Sequence, residues 1–505
     1  MGGQASHHSS KLSQFLWGPT YTPSRVIELK CGSKLRGKSF SFPELAELRF
    51  KRPQPADPWP GVVLDCTQFG PRCPHEDMHI ERLNVFFYPK SEDCLRLNVF
   101  APTWSPTQDY QDSKGYPVMV FIHGGGFAVH SAAHYGDHGI CSRQLGLWDQ
   151  TLALQWVQEN IRKFGGDPTN VTVFGQSAGG ASTDLLSLSP YSRDLFHKMI
   201  PMSGTAYCTF ATNEASHVRN TSLIFARQLG FVLDEKASTS EQNRELVDFL
   251  RSQPTHLLEM SLIGKRGFKG VNHNGQLDLT PVVDGDFLPK PIDQLRQEAP
   301  PKIVMTGSTE FESLLFAAIR PPRGSLKDEV HRVVHREFTR RQIPHTEEVV
   351  KKVTSMYFSE QEEKEMDKIP AAADKVLEEE VKDGSNTQLK GLTSAKPIAT
   401  ISDHREKRRR KRRKLAEDCV KLASDILINN GVWHLADRLA KLGNTGATHC
   451  SELPYIFHRG IIANFHPSAD DLEMVDYFTT LLTNFAKYGN PNGNGPKDEM
   501  SCGNH

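Results

Sequence analysis

The string FGQSAGG at residues 174–180 places Ser177 between Gly175 and Gly179, directly after the run NVTVF. Glycines on both sides let a serine occupy a sharp strand-to-helix corner, where its hydroxyl projects from the sheet and the following amides stay open. With glycine near 7% of residues, a G-x-S-x-G match arises by chance in about one 500-residue chain in ten, so the corner needs further support. Part of it lies upstream. Residues 118–122, VMVFI, form a short apolar run suited to a buried strand, and the run ends at His123-Gly124-Gly125-Gly126-Phe127.

Between the two glycine-rich turns, residues 149–164 put Leu152, Trp156, Ile161 and Phe164 near one face of a helix. Asp149 is placed to cap its start, and Gly165-Gly166-Asp167-Pro168 to stop it. Further strands are expected at 95–100, 198–202 and 302–305, and helices at 222–229 and 245–250. Strand, glycine turn, helix, strand and tight turn form the local syntax of an α/β sheet.

Acyl transfer needs donors aimed at the oxygen that becomes negative, and the backbone amides of Gly125, Gly126 and Ala178 stand where they can supply them. It also needs a base whose tautomer a carboxylate fixes. In sites built on this corner the chain order is serine, acid, histidine, which confines the search to residues beyond 177. Glu312 and His449 fit placement at the sheet edge, with Glu310 as rival for the acid and His345 or His434 for the base.

Composition narrows the rest. Lys and Arg number 60 and Asp and Glu 60, so no global field draws the chain to nucleic acid or lipid. The run HREKRRRKRRK at 404–414 is read as part of a charged, mobile insert over about 380–414; it has no interleaved aromatics to stack bases, which makes nucleic acid an unlikely partner. No apolar stretch reaches the roughly 20 residues of a bilayer-spanning helix. The start, MGGQASHHSSKL, lacks a signal-peptide core and gives the expectation of a cytoplasmic protein with a disordered leader over 1–21. Gly2 with Ser6 has the spacing of an N-myristoylation site, which would give weak peripheral membrane attachment. Nine dispersed cysteines in a reducing compartment are expected to be free thiols.

With these pieces in order, the chain resembles the type-B carboxylesterases, a branch of the α/β-hydrolase fold. The resemblance is carried by SEDCLRLNVF at 91–100, FIHGGGF at 121–127, LWDQTLALQWVQENIRKFGGDPTNVTVFGQSAGG at 147–180, MSGTA at 202–206, PVVDGDFLPKP at 281–291, HCSELPYIF at 449–457 and NFAKYGNPNG at 484–493. It implies one domain over 22–493 with a short tail over 494–505, and a mostly parallel central sheet flanked by helices. It implies Ser177 as nucleophile, Glu312 as acid, His449 as base, an oxyanion hole of Gly125, Gly126 and Ala178, and Ser203 as support for the acid. The substrate is then a small-molecule ester, cleaved through an acyl-enzyme with no metal or cofactor. Cys73 and Cys94 match the family's first disulfide pair, while Phe231 and Phe249 stand where a second would be. Gln176 stands where glutamate is common.

The resemblance also implies missing length. Only 19 residues separate Phe127 from Leu147, where relatives carry a further strand of the sheet. Another strand is lacking before His449, after Leu442-Gly443-Asn444-Thr445. Loss of an internal strand is expected to break the hydrogen-bond ladder, at a cost beyond the roughly 5–15 kcal/mol by which domains are stable. Two alternatives therefore stay open beside the esterase: an esterase-like binding or scaffold protein that has lost catalysis, and an incomplete isoform.

Overall fold

In the computed structural model, residues 115–130, 144–262, 277–309, 324–340, 347–368 and 467–494 are described continuously. Shorter described stretches lie between 26 and 101, at 264–265, at 312–313, between 410 and 429 and at 456. Gly2 and the leader, Glu310, His345, His434, His449 and residues 380–409 fall outside them. The chain divides into two compact units, residues 1–307 with 436–505, and residues 308–435.

In the first unit a small sheet joins β1 (Val26–Glu28), β2 (Lys34–Gly37) and β4 (Val63–Cys66), and a long-range antiparallel pairing joins β3 (Ser39–Ser41) to β5 (Arg96–Asn98). The main sheet has four parallel strands in the order β6 (Tyr116–Ile122), β7 (Gly166–Gln176), β8 (Lys198–Met202) and β9 (Ile303–Val304). Parallel strands of this kind are buried on both faces and read as apolar runs, which is why VMVFI, VTVF and KMIPM were visible as strands.

β6 pairs directly with β7, from Val118 opposite Val171 to Ile122 opposite Gly175. Among the described residues β6 has no strand on its other side, and the strand at 96–98 pairs with β3 in a separate two-stranded sheet. The first residues of β6 are only half-buried, and Val120, Phe121 and Ile122 are buried. The segment before His449, where the late strand is lacking, lies outside the described residues.

α1 (Gln144–Asn160) starts one turn earlier than Asp149, which lies inside the helix and not at its cap. The periodic stretch ends in a 3-10 turn, Ile161–Phe164, closed by Gly165 in the left-handed region at φ 87°. α2 (Ala178–Leu188) is buried along its whole length. α3 (Ala215–Gln228) and α4 (Thr239–Ser252) pack against each other, and the rings of Phe231 and Phe249 lie 5.2 Å apart between them. At the positions where the resemblance implies a second disulfide, an aromatic pair and the apolar cluster of Leu223, Ala226 and Leu246 hold the two helices instead.

α5 (Thr255–Leu258) and α6 (Ile292–Glu298) are short, and α10 (Ala469–Tyr488) covers one face of the main sheet. Phe121, Phe174, Ile200, Met202 and Met305 meet Leu482 and Phe485 there. Lys198 Nζ caps α10 by donating to the carbonyl of Ala486 at 2.7 Å. Cys73 and Cys94 form a disulfide with Cα atoms 4.9 Å apart, so the free thiols expected from the cysteine count do not include this pair. Cys208 and Cys419 are buried and lie outside any disulfide.

The second unit has its own core. α7 (Leu326–Arg340), α8 (Glu347–Ser355) and α9 (Glu360–Met366) bring Leu326, Val330, Val334, Val350, Phe358 and Met366 together with Leu415, Cys419 and Leu422. Arg410, Lys411 and Lys414, at the end of the expected insert, are helical, and Lys411 Nζ lies 3.0 Å from Glu365.

Candidate active site

The corner at Ser177 is a strand end turned back on itself. β7 ends at Gln176, α2 begins at Ala178, and Ser177 between them has φ 57° and ψ −121°. A positive φ is uncommon for a residue with a Cβ and is maintained only where the surroundings determine it. The determinants are backbone contacts. Ser177 N donates to Met202 O at 2.8 Å, which pins the corner to the end of β8, and Ala181 N donates to Ser177 O at 2.9 Å, which opens the helix.

The flanking glycines are required by closeness. A Cβ at Gly175 would sit 2.6 Å from Ile122 O, and one at Gly179 would sit 2.7 Å from His123 O and closer still to Ile122 O. No side chain fits there.

A serine at this position of a helix ordinarily caps it by accepting from an amide of the first turn. Ser177 makes no such side-chain bond. Its φ is positive and its side chain is half-buried.

The loop after β6 meets this corner. A Cβ at Gly124 would lie 3.3 Å from Ser177 Cβ and 2.8 Å from Gln176 O. Gly125 and Gly126 have φ 113° and 59°, followed by Phe127 at 57°. The carbonyl of Gly125 accepts from Ala128 N and Val129 N at 3.0 Å each, so it faces back into its own turn. The amides of Gly125, Gly126 and Ala178 donate no bond in the turns, loops and caps of the described residues. Ala178 is the first residue of α2, where the helix dipole adds positive potential.

His123 is fully buried at the base of the loop, with Nδ1 2.6 Å from Gly124 O. Burial holds its pKa down at about 4, so it is neutral near pH 7 and acts as part of the frame.

Ser203 closes the opposite side. It follows β8 with φ 43°, is fully buried, and donates both N (2.9 Å) and Oγ (3.4 Å) to Gly307 O. Just beyond it, Asp184 of α2 is completely buried, accepting from Ala206 N at 2.8 Å and from Arg296 Nη2 at 2.6 Å. This network ties the helix behind Ser177 to the segment after β8 and to α6, and is a supporting element that motif reading did not reveal.

In the second unit Glu312 is buried, and its Oε1 accepts from Thr309 N at 2.6 Å. The next residue, Ser313, donates its amide to Ser424 Oγ at 2.9 Å, both residues being buried. The structure thus brings Ser177 and the glycine loop together in one unit and fixes the turn of Glu312 in the other. His449 lies outside the described residues.

Comparisons with known proteins identify the family. The sequence profile of the carboxylesterase family matches residues 36–145 and 144–501. Esterase cest-33 of Caenorhabditis elegans is 32% identical over 523 positions, covering 92% of this chain and 82% of the nematode protein. That alignment is longer than the 505 residues here, so it crosses stretches the relative has and this chain lacks. The family match divides at 144–145, inside the short segment between Phe127 and Leu147. Carboxylesterase 1C of Mus musculus is 31% identical over 344 residues, 60% of this chain and 58% of that one. Liver carboxylesterase of Sus scrofa is 34% identical over 323 residues, 55% and 54% respectively. The chain spans somewhat over half the length of the two mammalian proteins.

Proposed function

Because the chain belongs to the carboxylesterase family, we propose that it hydrolyses small-molecule carboxylic esters, with Ser177 as nucleophile, His449 as base and Glu312 as the carboxylate that orients it. In the first step His449 takes the proton of Ser177 as the hydroxyl attacks the ester carbonyl. The amides of Gly125, Gly126 and Ala178 hold the oxyanion, each worth about 3 kcal/mol in the transition state. The C–O bond to the alcohol breaks, His449 returns the proton to the leaving oxygen, and an acyl-serine remains. Water, deprotonated by the same histidine, then attacks the acyl carbon, and collapse of the second tetrahedral intermediate releases the acid and regenerates the hydroxyl.

The observation that carries this reading is the backbone of Ser177. A non-glycine residue is held at φ 57° at the strand-to-helix reversal, and its hydroxyl is not used to cap the helix that follows. It suits a nucleophile presented at the top of a sheet.

Steady-state hydrolysis of an activated aryl ester tests it. The wild-type chain turns the ester over, and Ser177→Ala, Glu312→Gln and His449→Gln each lower kcat/KM by at least about 10³-fold. Wild-type turnover unchanged in Ser177→Ala would reject the assignment.

A second reading has one observation behind it. The family match parts in the segment between β6 and α1, and among the described residues β6 lies at the edge of its sheet, so an esterase-like binding protein without turnover is the alternative. Folded protein that binds esters without cleaving them would favour it.

A further inference from the structure

α7 carries its buried stripe at Leu326, Val330, Val333 and Val334. His331 and His335 each follow a buried valine by one residue, and so lie along the margin of that stripe, one turn apart on the same side. Their ring centroids are 5.8 Å apart. The neighbouring helix α8 packs on α7 and contributes Val350 to the shared core. Its first residue, Glu347, projects to the same place: Glu347 Oε1 lies 3.9 Å from His335 Nε2, beyond hydrogen-bonding range. One ligand atom from each of His331, His335 and Glu347 falls within 4.8 Å of the others.

We propose that these three side chains form a zinc site that clamps α7 to α8, separate from the ester-cleaving machinery. Two imidazoles and one carboxylate are a donor set that suits Zn²⁺, with a fourth position left to water. Bonds of about 2.0–2.2 Å in a tetrahedron bring ligand atoms to about 3.4 Å from one another, so the present spacing has to contract by roughly an ångström. Glu347 supplies the movement, since its side chain is 84% exposed and the two histidines are partly exposed. The helices need not shift. An ion there joins groups from two elements that otherwise meet through apolar contacts, and so stabilises the folded unit by binding it alone.

The test uses the full chain, stripped of metal by a chelator and titrated with Zn²⁺ against a competing zinc dye. Wild type is compared with His331→Ala/His335→Ala and with Glu347→Gln. Supporting the proposal, wild type binds one equivalent more than the double variant. Glu347→Gln then weakens that equivalent by at least the roughly 10- to 100-fold that even outer-sphere changes bring. Zn²⁺ also raises the Tm of wild type and not that of the double variant. Equal stoichiometry and affinity in all three chains would overturn it. Should the double variant fail to fold, Glu347→Gln decides, because its altered residue is exposed and outside the core: unchanged zinc affinity there rejects the site.

Discussion

Ser177 N and Met202 O, 2.8 Å apart, join the end of β7 to the end of β8 at the point where the chain reverses into α2. The bond fixes the corner from one side, and the glycine loop after β6 packs against it from the other. The corner therefore depends on three adjacent parallel strands, all of which the shortened sheet retains.

Gly179→Ala tests that packing. The added methyl would meet the carbonyls of Ile122 and His123, both backbone atoms that cannot rotate away. The expected loss is about 2 kcal/mol or more of stability, read from urea denaturation, together with loss of ester hydrolysis. A variant with wild-type stability and turnover would show that the loop and corner are looser than described.

Arg296→Met tests the support behind the helix. It leaves the completely buried carboxylate of Asp184 without its ion partner and should cost about 3–5 kcal/mol. Adding Asp184→Asn removes the stranded charge while keeping an acceptor for Ala206 N, so the double variant should be more stable than Arg296→Met alone. Denaturation midpoints of the three chains measure the coupling.

His123 predicts a pH dependence. Its pKa falls from 6.5 to about 4 because the ring is buried. Between those values the unfolded chain binds the proton and the folded chain does not, so folding is weakened as pH falls through this window. The associated stability is fully present above pH 6.5 and is lost progressively toward pH 4, on the order of 3 kcal/mol in all. Desolvation lowers the pKa of the surface residue His197 as well, and that residue acts in the same direction. Urea midpoints measured from pH 4 to 7 should slope less steeply in His123→Gln than in wild type.

Much of the first unit was legible because its elements carry strong local signals. A buried parallel strand is an apolar run, and a corner or close approach demands glycine, so β6, β7, β8 and the Ser177 turn could be read directly. Boundaries were less clear. Asp149 has the chemistry of a cap, yet α1 extends past it to Gln144. Gly166 to Pro168 read as a stop, yet they belong to the irregular start of β7, which joins the regular ladder at Val171.

Long-range pairings left almost no local trace. Nothing in the spacing of Asp184 and Arg296 announces an ion pair across 112 residues. The stretch beyond residue 322 is strongly charged, its valines dispersed among lysines and glutamates. Helical spacing gathers Val330, Val334 and Val350 into a core all the same. The base could not be chosen among 21 histidines by composition, and only the family resemblance separated His449 from its rivals His345 and His434.

The most direct measurement is covalent labelling of the folded chain with an organophosphate probe, followed by intact mass and peptide mapping. The account predicts one adduct per chain, located on Ser177 and abolished by Ser177→Ala. Folded, soluble protein that takes up no label, or that is labelled equally well in Ser177→Ala, would contradict it.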